Sequence, residues 1–140
     1  MGGKVIIVEG KTDAERLKSI LAEPVTFVLT HGTPGPRALE AIEALRADEV
    51  YVFVDADFSG ERIRRAVAEA LPEARHLFTR KMYREIATTP LVHLAEVLMR
   101  AHFAVDLKAV RRAVEAEAEA DPELRQALRR LYVRERRKPR

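Results

Sequence analysis

A repeated change of hydrophobic period limits the fold of this chain more than any other feature. Three short apolar runs, Lys4-Val-Ile-Ile-Val-Glu9, Val25-Thr-Phe-Val-Leu-Thr30 and Val50-Tyr-Val-Phe-Val-Asp55, each give way to a segment that reads as helix. Runs this short and this uniformly apolar suit strands covered on both faces. Leu39, Ile42 and Leu45 predict a helix over about 37–46, introduced by the turn-rich loop His31-Gly-Thr-Pro-Gly-Pro36. Ile63, Val67 and Leu71 predict another, with Ser59 as its N-cap and Pro72 beyond its end. Arg75-His-Leu-Phe78 is a short fourth strand. Strand and helix in alternation imply an α/β fold, a four-stranded mostly parallel sheet with right-handed crossovers.

From about residue 90 the spacing is helical throughout. Leu91, Leu94, Leu98 and Met99 give one face, Leu107, Val110 and Val114 a second, and Leu124, Leu128, Leu131 and Tyr132 a third. Pro90 and Pro122 stand where helices begin. Residues 1–80 thus read as an α/β core, and 81–140 as a helical extension expected to pack on the same domain.

The stretch Val8-Glu-Gly-Lys-Thr-Asp-Ala-Glu15 ends like a phosphate-binding loop at Gly10-Lys11-Thr12. That loop needs a glycine five positions before Gly10 to let backbone N–H groups wrap a phosphate. Val5 occupies the position, inside the first strand, so the phosphate-loop reading fails. What remains is a strand ending in a carboxylate, a turn at Gly10 and a helix. Thr12 and Glu15 fit a capping box, and Asp13 suits the positive end of the helix dipole. Glu9 has no such local explanation, and it stands at the strand end where open α/β sheets place ligands.

The 140 residues are long enough for one domain with a real core. No signal-peptide pattern or run of roughly 20 apolar residues is found, which predicts a cytoplasmic protein with no membrane association. Without cysteine, disulfides and thiolate metal sites are excluded. Asparagine is absent and glutamine occurs once, at Gln126, a thermophile-like trait that a GC-rich genome would share with the excess of arginine. The net charge of +3 is uneven: residues 121–140 carry 8 basic and 3 acidic side chains, while the rest is slightly acidic. A basic tail of this kind attracts phosphate backbones, or is simply solvated.

Val54-Asp-Ala-Asp-Phe-Ser-Gly-Glu-Arg62 places Asp55 and Asp57 just past the third strand. Two hard carboxylates at this spacing suit Mg²⁺, which takes one or two carboxylates with waters and phosphate oxygens. Gly60 permits close backbone approach, and the following helix offers its N-terminus to an anion. Asp-x-Asp alone also occurs in phosphatases, glycosyltransferases and ordinary turns. Its position discriminates: dehalogenase-like phosphatases carry it after the first strand, and receiver domains reverse the order of pair and single acid.

Glu9-Gly10-x-x-Asp13 followed by Asp55-x-Asp57-x-x-Gly60, at these places in a parallel α/β unit, resembles the Toprim domain over about residues 4–80. Topoisomerases, bacterial primases, the ribonuclease that matures 5S rRNA and overcoming-lysogenisation-type nucleases share that domain. His31-Gly-Thr, and Tyr83-Arg-Glu through Pro90, look like the small stand-alone bacterial members related to that ribonuclease. The resemblance implies a Rossmann-like Toprim fold, Glu9 as general acid/base, and Mg²⁺ or Mn²⁺ at Asp55 and Asp57. Topoisomerases carry a third acid where this chain has Ser59, which shifts the likeness toward the primase and ribonuclease branches. Asp13 and Glu61 are further candidates near the metal, and Lys11, His31, Gly32, Gly60 and Arg62 for binding phosphate. Arg64 and Arg65 read as helix surface, and His76, His93 and His102 lack ligand spacing. The expected activity is Mg²⁺-dependent phosphoryl transfer on nucleic acid, RNA or DNA, foremost as a nuclease. The alternatives are primase-like nucleotidyl transfer and a non-catalytic binding or adaptor module, with a protein partner as a source of specificity.

Overall fold

A computed structural model describes residues 2–123, 126, 129 and 130. In chain order it contains β1 (Lys4–Val8), α1 (Lys11–Lys18), β2 (Val25–Leu29), α2 (Pro36–Ala44), β3 (Glu49–Phe53), α3 (Phe58–Ala70), β4 (Arg75–Leu77), α4 (Leu91–Arg100) and α5 (Leu107–Ala120). All strand pairings are parallel and the sheet order is β2-β1-β3-β4, the α/β sheet that the apolar runs predict.

Successive side chains of a strand point to opposite faces, so each central strand feeds two cores. Ile6, Val8, Tyr51 and Phe53 pack with Leu17 of α1 and with Leu94, Leu98, Phe103 and Val110 from the C-terminal segment. Val5, Ile7, Val52 and Val54 pack with Ile42 of α2 and Ile63 and Val67 of α3. Each position from Val5 to Val8 and from Tyr51 to Phe53 faces one core or the other, which is why these stretches carry apolar and aromatic residues. Lys4 and Glu49 at the strand starts are only half-buried. Each fully buried side chain of this size contributes roughly 1.5–3 kcal/mol.

The C-terminal helices lie on the sheet. The Phe103 ring meets Tyr51 at 4.7 Å between centroids, Lys4 Nζ sits 4.5 Å above it, and Leu21 forms an antiparallel bridge with Val105. Met99 and Leu107, expected on buried faces, are 50% and 65% exposed. α4 buries Leu94, Ala95 and Leu98, and Met99 lies a further 100° around the helix; Leu107 is the first residue of α5. The face expected at Leu124, Leu128, Leu131 and Tyr132 and the tail 134–140 lie outside the described residues.

Both expected helix caps differ from the sequence reading. Gly10, not Thr12, is the N-cap of α1, and no side chain caps it there. Asp13 takes the Gly10 N–H in place of Glu15, which pairs instead with Lys11 at 3.9 Å. In α3 the cap is Asp57, whose Oδ1 accepts from the Gly60 N–H at 2.7 Å. Ser59 is left inside the first turn with its hydroxyl free for another partner. Arg64, read as surface, is only 6% exposed. Its Nη2 donates to the carbonyls of Val54 (3.2 Å) and Leu77 (2.6 Å), which ties together the chain just past β3 and the end of β4.

Candidate active site

In the order β2-β1-β3-β4 the direction of winding reverses between β1 and β3. Connections leaving the carboxyl ends of these two strands diverge there and open a crevice. Glu9 follows β1 directly and Asp55 lies two residues past β3. Ser59 Oγ donates to Glu9 Oε2 at 3.1 Å, joining two motifs 50 residues apart in sequence. Asp13 feels the charges of Asp55 and Glu9, and Asp55 those of Asp57, Glu85 and Glu9. The fold therefore gathers Glu9, Asp13, Asp55 and Asp57, and adds Glu85.

Other candidates sit around this cluster in different ways. The His31 N–H donates to the Glu9 carbonyl at 2.8 Å, so the loop after β2 is fastened to the backbone of Glu9. His31 and Gly32 both have positive φ, 50° and 114°, which turns the chain sharply at the crevice rim. Lys11 opens α1 with a largely exposed side chain. Arg62 is exposed on α3 with its guanidinium 5.9 Å from the Phe58 ring centroid. Glu61 lies where Arg64 and His76 feel its charge.

Burial raises the carboxyl pKa of Asp55, reinforced by Asp57, Glu85 and Glu9 and opposed by a hydrogen bond from the Ile86 N–H. Burial likewise raises that of Asp13, with Asp55 and Glu9 adding to it and the Gly10 N–H and Arg16 opposing. None of the ion pairs among the described residues involves Glu9, Asp55 or Asp57. Among the described residues no three His, Asp or Glu side chains close into a ligand cage. Carboxylate oxygens, the donors that Glu9, Asp55 and Asp57 offer, are the ligand type that hard divalent ions take.

Asp55 is held by Ile86, by Arg16 acting through the Ile86 segment, and by the motif residue Gly60. Its Oδ1 accepts from the Ile86 N–H at 2.8 Å. The Ile86 side chain is fully buried, and Arg16 Nη1 donates to the carbonyls of Ile86, Ala87 and Thr89 at 2.7, 2.9 and 2.8 Å. Behind Asp55, the Gly60 backbone comes so close that a Cβ there would stand 1.9 Å from the Asp55 carbonyl oxygen. Sequence reading assigned no role to Arg16, Arg64 or Glu85. Glu85 did fall in the quoted Tyr83-Arg-Glu run, whereas nothing local distinguishes Arg16 or Arg64 from other helix arginines.

The raised Asp55 pKa sets a pH dependence of stability. The folded state binds this proton more tightly than the unfolded state, so stability falls as pH rises from the usual carboxylate range through the raised value. Below that range the penalty is absent. Metal-free Asp55→Asn protein is therefore expected to melt at or above the wild-type Tm at neutral pH. The difference should close as pH is lowered, because asparagine keeps the acceptor for the Ile86 N–H. Thermal melts in chelator across pH check this. A lower mutant Tm at neutral pH would show that the carboxylate is there to stabilise the fold.

The Toprim domain family model matches residues 4–84. The chain is 43% identical over 103 residues to the uncharacterized protein YusF of Bacillus subtilis (strain 168), covering 73% of this chain and 70% of that protein. It is 44% identical over 77 residues to Ribonuclease M5 of Lactiplantibacillus plantarum, covering 54% of this chain but 40% of that protein. The chain thus spans less than half the length of the ribonuclease it matches. A solved small TOPRIM domain protein from Bacillus stearothermophilus superposes with a TM-score of 0.73 at 42% identity, covering 79% of this chain and 94% of that one.

Proposed function

The chain belongs to the Toprim domain family, and from that premise we propose that it is a Mg²⁺-dependent nuclease that hydrolyses phosphodiester bonds. The observation that carries the reading is the convergence of Glu9, Asp13, Asp55 and Asp57 at the switch point. Relatives named Ribonuclease M5, similar over about half of the chain, support it.

Asp55 and Asp57 would hold the ion. Each has one oxygen committed to a backbone N–H, Ile86 for Asp55 and Gly60 for Asp57, which sets the carboxylate plane. When bound, the ion would supply positive charge to offset that of the scissile phosphate. Glu9, steered by the Ser59 hydroxyl, moves a proton to or from the attacking or leaving oxygen. Lys11, His31 and Arg62 are the phosphate contacts in this reading, with the Gly32 turn beside them, whereas the Gly60 backbone serves the close packing of α3 against the Asp55 carbonyl.

A panel of structured RNAs and DNAs incubated with Mg²⁺ or Mn²⁺ tests the reading. Cleavage should require the ion and fall by at least about 10²-fold in Asp55→Asn or Asp57→Asn protein. Both substitutions preserve the hydrogen bonds to Ile86 and Gly60, so loss of activity with an intact melting transition assigns the acids to chemistry. Cleavage that survives in both variants, or in excess chelator, would overturn the proposal.

A further inference from the structure

Of the five phenylalanines, Phe53 and Phe103 are buried and Phe27 packs against the core. The remaining two are exposed, Phe58 at 78% and Phe78 at 58%. Neither is scattered at random over the surface. Phe58 follows Asp57 and opens α3, and Phe78 follows the last residue of β4, so both lie at the carboxyl edge of the sheet that carries the acids. Each has an arginine at its ring: Arg62 at 5.9 Å from Phe58 and Arg64 at 4.0 Å from Phe78. Arg64 is six residues along α3 from Phe58, roughly 9 Å of helix axis.

We propose that Phe58 and Phe78 form a stacking rim for unpaired nucleobases, so that the strand entering this site is single-stranded at the scissile phosphate. This rests on the reading of the acids as a nuclease centre, and it names the substrate class of that centre. An aromatic face left in water gains about 1–3 kcal/mol for each base that stacks on it, whatever the base. A duplex offers no such face, since its bases already stack on one another inside the helix. Phe58 is next in sequence to Asp57 and exposed at the start of α3, within reach of a nucleotide neighbouring a phosphate held at Asp55 and Asp57. Charge agrees with this path: Arg62 and Arg65 are exposed on α3, and Lys81 and Arg84 are exposed on the segment after Phe78. Arg64 covers one side of Phe78, and the ring nonetheless stays more than half exposed. RNA and DNA share the stacking chemistry, and the ribose hydroxyl is left to distinguish them.

The chain contains no tryptophan, so Phe58→Trp introduces a single fluorescent reporter at the rim. Short oligo-U and oligo-dT should quench its emission in chelator, where no turnover occurs, and a duplex of equal length should quench it little. Phe58→Ala should weaken single-strand binding roughly 5- to 150-fold, with duplex binding unchanged and the Tm preserved because the side chain is exposed. Equal quenching by duplex and single strand, or an unchanged single-strand affinity in Phe58→Ala, overturns the proposal. No quenching by any nucleic acid also overturns it, and leaves the rim to a protein partner. Binding is read here without cleavage. Protein that binds as expected but cleaves nothing would keep the stacking rim and lose the nuclease reading, and protein that cleaves with full Phe58→Ala affinity would do the reverse.

Discussion

Glu9→Gln protein is expected to cleave about 10²–10⁴-fold more slowly than wild type at saturating substrate and metal, the usual worth of a positioned general acid or base. Glutamine is nearly isosteric and can still accept from the Ser59 hydroxyl, so the tie between the two motifs survives. The backbone bond from His31 to the Glu9 carbonyl is untouched by the change. The change removes the exchangeable proton together with the carboxylate charge that Asp13 and Asp55 feel. Single-turnover rates with the divalent ion titrated separate this from metal loss: the rate plateau should fall while the ion concentration at half-effect moves little. Asp55→Asn should show the opposite emphasis, with the ion requirement shifted strongly. A Glu9→Gln enzyme that reaches the wild-type plateau would remove Glu9 from the chemistry.

Gly60→Ala is expected to damage both the fold and the site although the change adds a single carbon. The new Cβ would fall 1.9 Å from the Asp55 carbonyl oxygen, far inside contact distance, and that oxygen belongs to backbone that cannot rotate away. Either α3 must slide outward, which breaks the Asp57 cap on the Gly60 N–H, or the Asp55 backbone must retreat from the crevice. Overpacking of this kind costs about 1–3 kcal/mol, and loss of a side-chain cap about 1 kcal/mol more. For a domain of this size a change of that order lowers Tm by several degrees. Divalent-ion binding should weaken in the same variant, because either displacement alters the spacing of Asp55 and Asp57. A Gly60→Ala protein with wild-type Tm and ion affinity would show that the close approach of these two backbones is not required.

Periodicity made the sheet legible because both faces of β1 and β3 are covered, and the strand ends with their acids could be read from the same runs. The likeness of Glu9-Gly10-x-x-Asp13 and Asp55-x-Asp57 to the Toprim pattern is what groups these acids in the sequence, and the strand order then sets β1 beside β3. Caps were less legible. Asp57 and Ser59 are both good capping residues, and only the three-dimensional demand of Glu9 on the Ser59 hydroxyl decides between them. Arg16 and Arg64 were hidden for a related reason: their partners are backbone carbonyls, at Ile86, Ala87 and Thr89 for one and Val54 and Leu77 for the other. Carbonyls leave no trace in a sequence. A side chain that pairs with an acid can be sought by charge, but one that pairs with a main chain cannot.

The grip of Arg16 on the segment beyond residue 84 also bears on how this unit could be transplanted or shuffled between proteins. The family match ends at residue 84, yet the donor that orients Asp55 is the N–H of Ile86, and the side chain of Ile86 is sealed in the same core as Leu94 and Phe103. A gene fusion that carried only the matched residues would deliver all the recognisable acids and leave behind the anchor that aims one of them. The smallest portable form of this site therefore extends past the last recognisable motif, through α4 to Phe103, and its true boundary is set by a hydrogen bond and a buried side chain instead of by sequence similarity.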